Sequence, residues 1–453
     1  MDGVNGLRKS DHLIELQANG RLLLADRDHL SPFIVDAATD IHGLLDSLVS
    51  QRAPDPDLVE MFEMLGLLGR FPKKEGEPDP SPDDSLNVEL HLLMTQSCNI
   101  DCVYCLNGSS TYTKGSEGRF SAADAFELVA WLRANHPAEV PITIHFFGGE
   151  PLLNWREIVR IVEYAARECA NCRFYVTSNL TLLPAPLLDA FKGRDVMFDV
   201  TVDGPEAVHD AARMADRSRN GAAGTFRSVA DNLAKLKAAG IPIAVKMVLS
   251  SINHRHIEET LRLHMQLGAT FSSITSLRAS DSDGADIAAL LADEHLVWPQ
   301  MESLARQYCQ GEIAFEPASK IESMLVKGGR LSQYCGAGVE HSSVVDAQGR
   351  MFNCAWFVGE DAHMAGRKDG ASVEYDLAVD QNFRERATIE KNGGCADCNY
   401  RFVCGGPCPA TRMKRQDEAG WSAFQKERRI KCAITKPIVN ALLWKHGLDG
   451  QVA

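Results

Sequence analysis

Three cysteines, Cys98, Cys102 and Cys105, stand in the run 97–106 with the spacing C-x3-C-x2-C. Three thiolates can ligate three irons of a cubane cluster. The fourth iron then stays open to a small chelating molecule, whereas an electron-transfer ferredoxin normally closes all four corners with Cys. An open corner points to catalysis at the cluster. The competing readings are core cysteines or part of a zinc site, since free Cys is often simply buried.

Further marks follow downstream. Residues 142–152 read as a β-strand running into Gly148-Gly149-Glu150-Pro151, where paired glycines let the backbone approach a ligand closely. Residues 174–179 and 197–204 are apolar runs ending in polar residues, and His209, Asp210 and Arg213 make an H-D-x-x-R pattern. Together with Tyr104, the aromatic residue before the last cysteine of the triplet, these marks resemble the radical S-adenosylmethionine (SAM) enzymes. The resemblance implies that Cys98, Cys102 and Cys105 hold the SAM cluster and that Gly148, Gly149 and Glu150 form the motif at the methionyl end. Glu150 would accept charge-assisted hydrogen bonds from the SAM ammonium. Ser178, Asn179, Thr201 and Asp203 would hold the ribose and carboxylate, with Arg213 a further carboxylate candidate. Leu180 stands where many relatives have Gly, and Thr201 where many have Ser. The implied chemistry is reductive cleavage of SAM, fed by an external one-electron donor of flavodoxin or ferredoxin type, and abstraction of substrate hydrogen by a 5′-deoxyadenosyl radical.

A second set of cysteines closes the chain: Cys335, Cys354, then Cys395-x2-Cys398-x5-Cys404-x3-Cys408, and Cys432. This seven-cysteine order resembles the SPASM domain, which implies two auxiliary clusters and three [4Fe-4S] clusters in all. Carried over, Cys395, Cys398, Cys404 and Cys432 would hold auxiliary cluster II, and Cys335, Cys354 and Cys408 auxiliary cluster I. Some relatives supply a fourth cysteine six residues before the first, and Gly329 stands there. Either Cys309 closes that cluster, or an iron stays open to orient a substrate thiolate, since a metal-bound thiol is deprotonated outright. A zinc ribbon would explain Cys395, Cys398, Cys404 and Cys408 but not the other three. Cys169 and Cys172 form a lone C-x-x-C, read as buried structural cysteines in preference to a redox pair.

The elements that must position these groups fall into sections. At 453 residues the chain has room for two to four domains. Its 45% hydrophobic and 24% charged residues are ordinary globular composition, and a net charge of −14 argues against nonspecific nucleic-acid binding. The N-terminal residues lack a basic segment followed by an apolar stretch, and no run of about 18 apolar residues occurs, so a cytoplasmic protein without membrane contact is expected. Thirteen cysteines in that compartment are metal ligands before they are disulfides.

Asn19-Gly20 breaks an alternating stretch as a hairpin does, and helical spacing follows over 40–49 and 57–68, with Asp57 read as an N-cap. This winged-helix-like α+β module, residues 1–75, resembles the leader-peptide recognition element of peptide-modifying radical SAM enzymes, which implies binding of a precursor peptide as an added strand. A mere support for the barrel is the alternative. A proline-rich, charged linker is expected over 76–87. From residue 88 strands alternate with helices, which implies an α/β fold with a parallel sheet; with the resemblance, this becomes a partial (β/α)6 TIM-like barrel over 88–305. A bridging region (306–334) and the SPASM domain (335–453) complete the division. The cofactor motifs then sit at the C-terminal ends of strands, where barrel enzymes keep their active sites.

The expected function is a maturase that crosslinks a ribosomally made peptide, foremost through Cys-derived thioethers. The alternatives are a carbon–carbon or carbon–oxygen crosslink, an anaerobic sulfatase-maturing enzyme, or a noncatalytic iron–sulfur adaptor that binds leader peptides. Ala355 occupies the place where sulfatase-maturing enzymes carry an Asp base.

Overall fold

The computed structural model describes residues 7–27, 30–69, 88–105, 118–215, 224–278, 287–327, 330–331, 334–337, 342–391, 394–414 and 418–449. The linker expected over 76–87 and Gly329 lie outside these residues.

Six parallel strands form the centre: β1 (Val88–Thr95), β2 (Ile142–Gly148), β3 (Cys172–Ser178), β4 (Val196–Thr201), β5 (Ile243–Leu249) and β6 (Phe271–Ser276). Each pairs with its successor in the sequence, so the strand order is the chain order. Helices Ala122–Asn135, Trp155–Glu168, Ala185–Phe191, Phe226–Ala238 and Ile257–Gln266 return the chain between strands. The period-two pattern of the strands explains the layering. In β2, Ile142, Ile144 and Phe146 are fully buried in the core formed with the helices, while His145 points the other way, towards His91 of β1. This is a partial (β/α)6 barrel.

The sheet does not stop at β1. Ser342–Val345 adds to β1 in parallel, and Arg350–Phe352, Met364–Asp369 and Ser372–Tyr375 continue antiparallel, making ten strands. Backbone pairing thus carries the segment ahead of Cys354 onto the barrel edge, a connection that cysteine spacing does not announce.

At the N-terminus, Leu13–Ala18, Arg21–Asp26 and Phe33–Asp36 form an antiparallel sheet. Asn19 and Gly20, at φ 51° and 73°, make the left-handed pair that a tight hairpin turn requires. Leu24 packs with Leu45 and Phe62 from helices Ile41–Ser50 and Pro56–Met64. The opposite face, with Ile14, Leu23 and Ile34, packs against Leu442 and Leu443 of the long helix Glu418–Asp449. The module is therefore built into the body at its C-terminal helix. Two local expectations are corrected. Asp55, not Asp57, caps the second helix, its carboxylate accepting from the amides of Asp57 and Leu58, because Pro56 occupies the first helical position. That helix ends at Met64 rather than 68: Gly66 turns left-handed at φ 69°, and Leu68 pairs as a strand with Lys9.

Candidate active site

At the C-terminal ends of the strands lies a cavity of about 350 Å³. Cys98, Cys102 and Cys105 line it together with Gly148 and Gly149, Ser178 and Asn179, Thr201, and Arg213. Residues more than a hundred positions apart thus meet in one place.

Local chemistry explains each placement. A Cβ on Gly148 would stand 2.2 Å from the Thr95 carbonyl, and one on Gly149 2.4 Å from those of Gln96 and Ser97. Only glycine lets the end of β2 pass under the cysteine loop. The amides of Gly149 and Glu150 then bond the carbonyls of Thr95 and Ser97 at 2.8 and 2.9 Å, tying that loop down.

Glu150 itself does not line the cavity. Fully buried, it accepts from Leu152 N and Ser178 Oγ at Oε1 and from Asn179 N at Oε2, all at 2.8–2.9 Å, stapling β2 to β3. Burial pushes its pKa up to about 7 against those hydrogen bonds. Asp203 is likewise enclosed: its carboxylate accepts from Tyr104 Oη and from Val248 N, and its pKa is raised by burial against the pull of Arg213. Arg213 donates to Tyr104 Oη at 3.0 Å and so presents its guanidinium to the cavity from a Tyr104–Asp203 seat. Asn179 Nδ2 points at Cys98 Sγ, 3.6 Å away, and at Asn99 Oδ1, 3.0 Å away.

The H-D-x-x-R pattern is scaffolding for Arg213. His209 Nδ1 accepts from Asp203 N and its Nε2 meets Thr225 Oγ1, while Asp210 caps the next helix by accepting from the amides of Thr225 and Phe226. Leu180 has φ 53° and is fully buried. That left-handed backbone is why glycine is the easier choice there.

The thiols are suited to a cluster. Burial pushes Cys102 up to about 12, the neighbouring charges of Cys105, Cys98 and Asp203 add to the rise, and Arg213 opposes it. Burial raises Cys98 as well, and thiols that resist ionisation alone are relieved by a shared cationic centre. Cys395, Cys398, Cys404 and Cys432 line a second cavity of about 20 Å³ with Arg401, Arg428, Lys431 and Lys436. Cys335 and Cys408 raise the pKa of Cys354, after burial, and Arg278 lowers it, so these three thiols share one neighbourhood. Cys309 lies elsewhere: its charged neighbours are Lys445 and Glu322, and it lines a groove with Leu16 and Trp444. Cys169 is buried in the barrel core and interacts with Cys172. The first and second thiol sets line cavities, and among the described residues no three His, Cys, Asp or Glu groups close around a single ion.

The profile of the Radical SAM superfamily matches residues 92–264. This chain carries a radical SAM domain. An uncharacterized protein of Methanocaldococcus jannaschii is 27% identical over 191 residues, 42% of this chain, and the match spans 62% of that relative. The mycofactocin maturase MftC of Mycobacterium tuberculosis is 27% identical over 332 residues, covering 71% of this chain and 78% of that protein. The solved structure of native anSMEcpe with bound AdoMet superposes with a TM-score of 0.61 at 14% identity, covering 78% of this chain and 98% of that one, a likeness of fold. The cavity lining from Cys98 to Val248 falls within the matched residues, and Thr275 to Arg278 extend it beyond them. Among the described residues no helix is long and apolar enough to cross a membrane.

The sequence alone did not point to five polar residues of the cavity wall: Thr177, Lys246, Thr275, Ser276 and Arg278. A lysine inside the strand run Ile243–Leu249, where burial alternates, was the available signal.

Proposed function

We propose that the protein is a cytoplasmic maturase of a ribosomally made precursor peptide, and that it installs Cys-derived thioethers. The observation that carries this reading is the meeting of three thiols, two glycines in close backbone contact and the polar strand ends in one cavity. In it, Cys98, Cys102 and Cys105 would hold a [4Fe-4S] cluster, which together with SAM and an electron from a flavodoxin- or ferredoxin-type donor would supply hydrogen-abstracting radical chemistry. Gly148 and Gly149 offer backbone to the methionyl end of SAM. Ser178, Asn179 and Thr201 line the polar wall, and Arg213 meets the carboxylate. Glu150 and Asp203 act one layer behind, the first by fixing the strand ends and the second by aiming Arg213. The enclosing walls keep water from a reactive centre.

The SPASM-like thiols support a peptide substrate with a cysteine. Cys395, Cys398, Cys404 and Cys432 would hold one auxiliary [4Fe-4S] cluster and Cys335, Cys354 and Cys408 the other. Cys309 faces Lys445 and Glu322, and the three-thiol set keeps an open position for a substrate thiolate on this assignment. Arg278 is beside Cys335 and Cys408 and also lines the cavity, so the two sites share a wall. The M. tuberculosis relative is a maturase by name, which favours the same class here. The N-terminal sheet is the proposed grip on the leader.

The test is anaerobic reconstitution with iron and sulfide, then incubation with SAM, dithionite and a cysteine-containing precursor. A product lighter by two hydrogens that no longer reacts with a thiol-alkylating agent is expected. An unchanged free thiol with the same mass loss would exclude the thioether, and no 5′-deoxyadenosine at all would remove the enzymatic reading.

A further inference from the structure

Behind the cavity the barrel is lined by a row of polar side chains that no step so far uses. Register sets it: His91 of β1 stands opposite His145 of β2, and Thr177 of β3 opposite Asp199 of β4. Thr177 Oγ1 is 2.8 Å from His145 Nε2, His145 Nδ1 is 2.8 Å from His91 Nδ1, and His91 Nε2 is 3.1 Å from Glu89 Oε2. One end of this row, Thr177, lines the cavity; at the other, the Glu89 side chain is 41% exposed. Asp199 and Lys246 pair alongside, and Tyr175 packs edge-on against His145.

The hydrogen bonds have a direction. Glu89 as a carboxylate only accepts, so His91 Nε2 carries the proton, and a neutral ring then leaves Nδ1 as an acceptor. His145 must donate from Nδ1, which leaves its Nε2 to accept from Thr177. The Thr177 proton has a second acceptor in Asp199 Oδ2 at 3.3 Å, but that oxygen already binds Lys246, and the shorter contact goes to His145. Burial first, with the charge of Lys246 beside it, holds His145 well below the usual imidazole range, which keeps it neutral. The interaction with His91 lowers Glu89, which keeps it charged.

We propose that Thr177, His145, His91 and Glu89 form a proton exit from the radical SAM cavity, with Thr177 taking the proton from the substrate. This rests on the crosslinking reading above. Joining sulfur to carbon breaks one S–H and one C–H bond and forms one C–S bond. One hydrogen leaves as an atom to the adenosyl fragment of SAM, and the other leaves as a proton. The remaining electron goes to an oxidised iron–sulfur cluster. As Thr177 accepts the substrate proton it passes its own to His145 Nε2; His145 passes its Nδ1 proton to His91 Nδ1, His91 passes its Nε2 proton to Glu89, and Glu89 exchanges with solvent. Thr177 is the catalytic residue, and the other three act through it.

The test uses the reconstituted full-length enzyme. In Glu89→Gln the amide oxygen still accepts from His91 but cannot take the proton, so crosslinked product should fall about a hundredfold, the lower end of general-base contributions, while 5′-deoxyadenosine still forms and the peptide KM holds. Glu89→Asp and Thr177→Ser should restore product, and the slowing of wild-type product formation in D2O should be absent in Glu89→Gln. Wild-type product rates in both Glu89→Gln and Thr177→Val would overturn the exit. A second readout needs no turnover: in 15N-histidine spectra of the wild type, His145 should be protonated at Nδ1 and His91 at Nε2. The reverse tautomers would overturn the proposal whatever the peptide does, whereas the expected tautomers with no peptide product would sink only the crosslinking reading.

Discussion

Two thiol-lined regions divide the molecule by what else their walls contain. The cavity at Cys98, Cys102 and Cys105 holds about 350 Å³ and is faced with hydroxyls, amides and glycine backbone. The one at Cys395, Cys398, Cys404 and Cys432 holds about 20 Å³ and is faced with four cationic side chains. The first has the volume of a small-molecule site, which begins near 300 Å³. The second has thiols and countercharge but no space. Cysteine count alone does not make a catalytic cluster; the free volume beside it does.

The sharpest way to break this contrast is to empty each region in turn. Replacing Cys98, Cys102 and Cys105 with Ala should abolish 5′-deoxyadenosine formation while about eight irons per chain remain, by the ligand count for cubanes. Cys432→Ala should do the reverse, lowering iron while peptide-free SAM cleavage continues. Iron assays and chromatography of the nucleoside decide it, and an equal loss of cleavage in both would erase the distinction. Next in size is Arg213→Met, which strands the buried carboxylate of Asp203; breaking such a pair costs about 3–5 kcal/mol, readable as a lower urea midpoint together with a raised KM for SAM.

A smaller effect comes from His264, on the barrel's far layer. Its Nδ1 meets Ser272 Oγ and its Nε2 the Val202 carbonyl, and burial lowers its pKa from 6.5 to about 4. The folded pKa lies below the unfolded one, so the unfolded chain binds the proton first. Stability is therefore full above pH 6.5 and is lost as pH falls towards 4, by roughly 3 kcal/mol. In His264→Gln the urea midpoint should vary correspondingly less across that window. The smallest effect is Leu180→Gly, in which about 1–2 kcal/mol of left-handed strain is relieved against roughly 2–3 kcal/mol of lost burial. A net loss of about 1 kcal/mol by denaturation would show that burial in the barrel core, not backbone strain, governs the turn that follows β3.

The barrel was legible because its signals are local. The alternation in β2 and the helical spacing of Ala122–Asn135 and Trp155–Glu168 declare themselves in short windows, and Cys98 to Cys105 fit within eight residues. What was not legible depends on partners distant in the chain. The seat of Arg213 needs Tyr104, more than a hundred residues away, and nothing beside Glu150 says that Ser178 and Asn179 will occupy its oxygens. The module over 1–75 read as detachable from the composition that follows it. Yet Ile14, Leu23 and Ile34 share a core with Leu442 and Leu443, so deleting it should unfold the C-terminal helix rather than test peptide binding. Leader affinity is better probed by substituting exposed strand residues such as Gln17 in the full chain.

The central claim is that the Cys98, Cys102 and Cys105 cavity cleaves SAM for a reaction on peptide. Its most direct measurement is 5′-deoxyadenosine released by the anaerobically reconstituted wild type and the triple Ala variant, each with SAM, dithionite and precursor peptide. The account predicts steady release from the wild type, increased by peptide, and none from the variant. Equal release from both, or none from the wild type with its clusters in place, would contradict it.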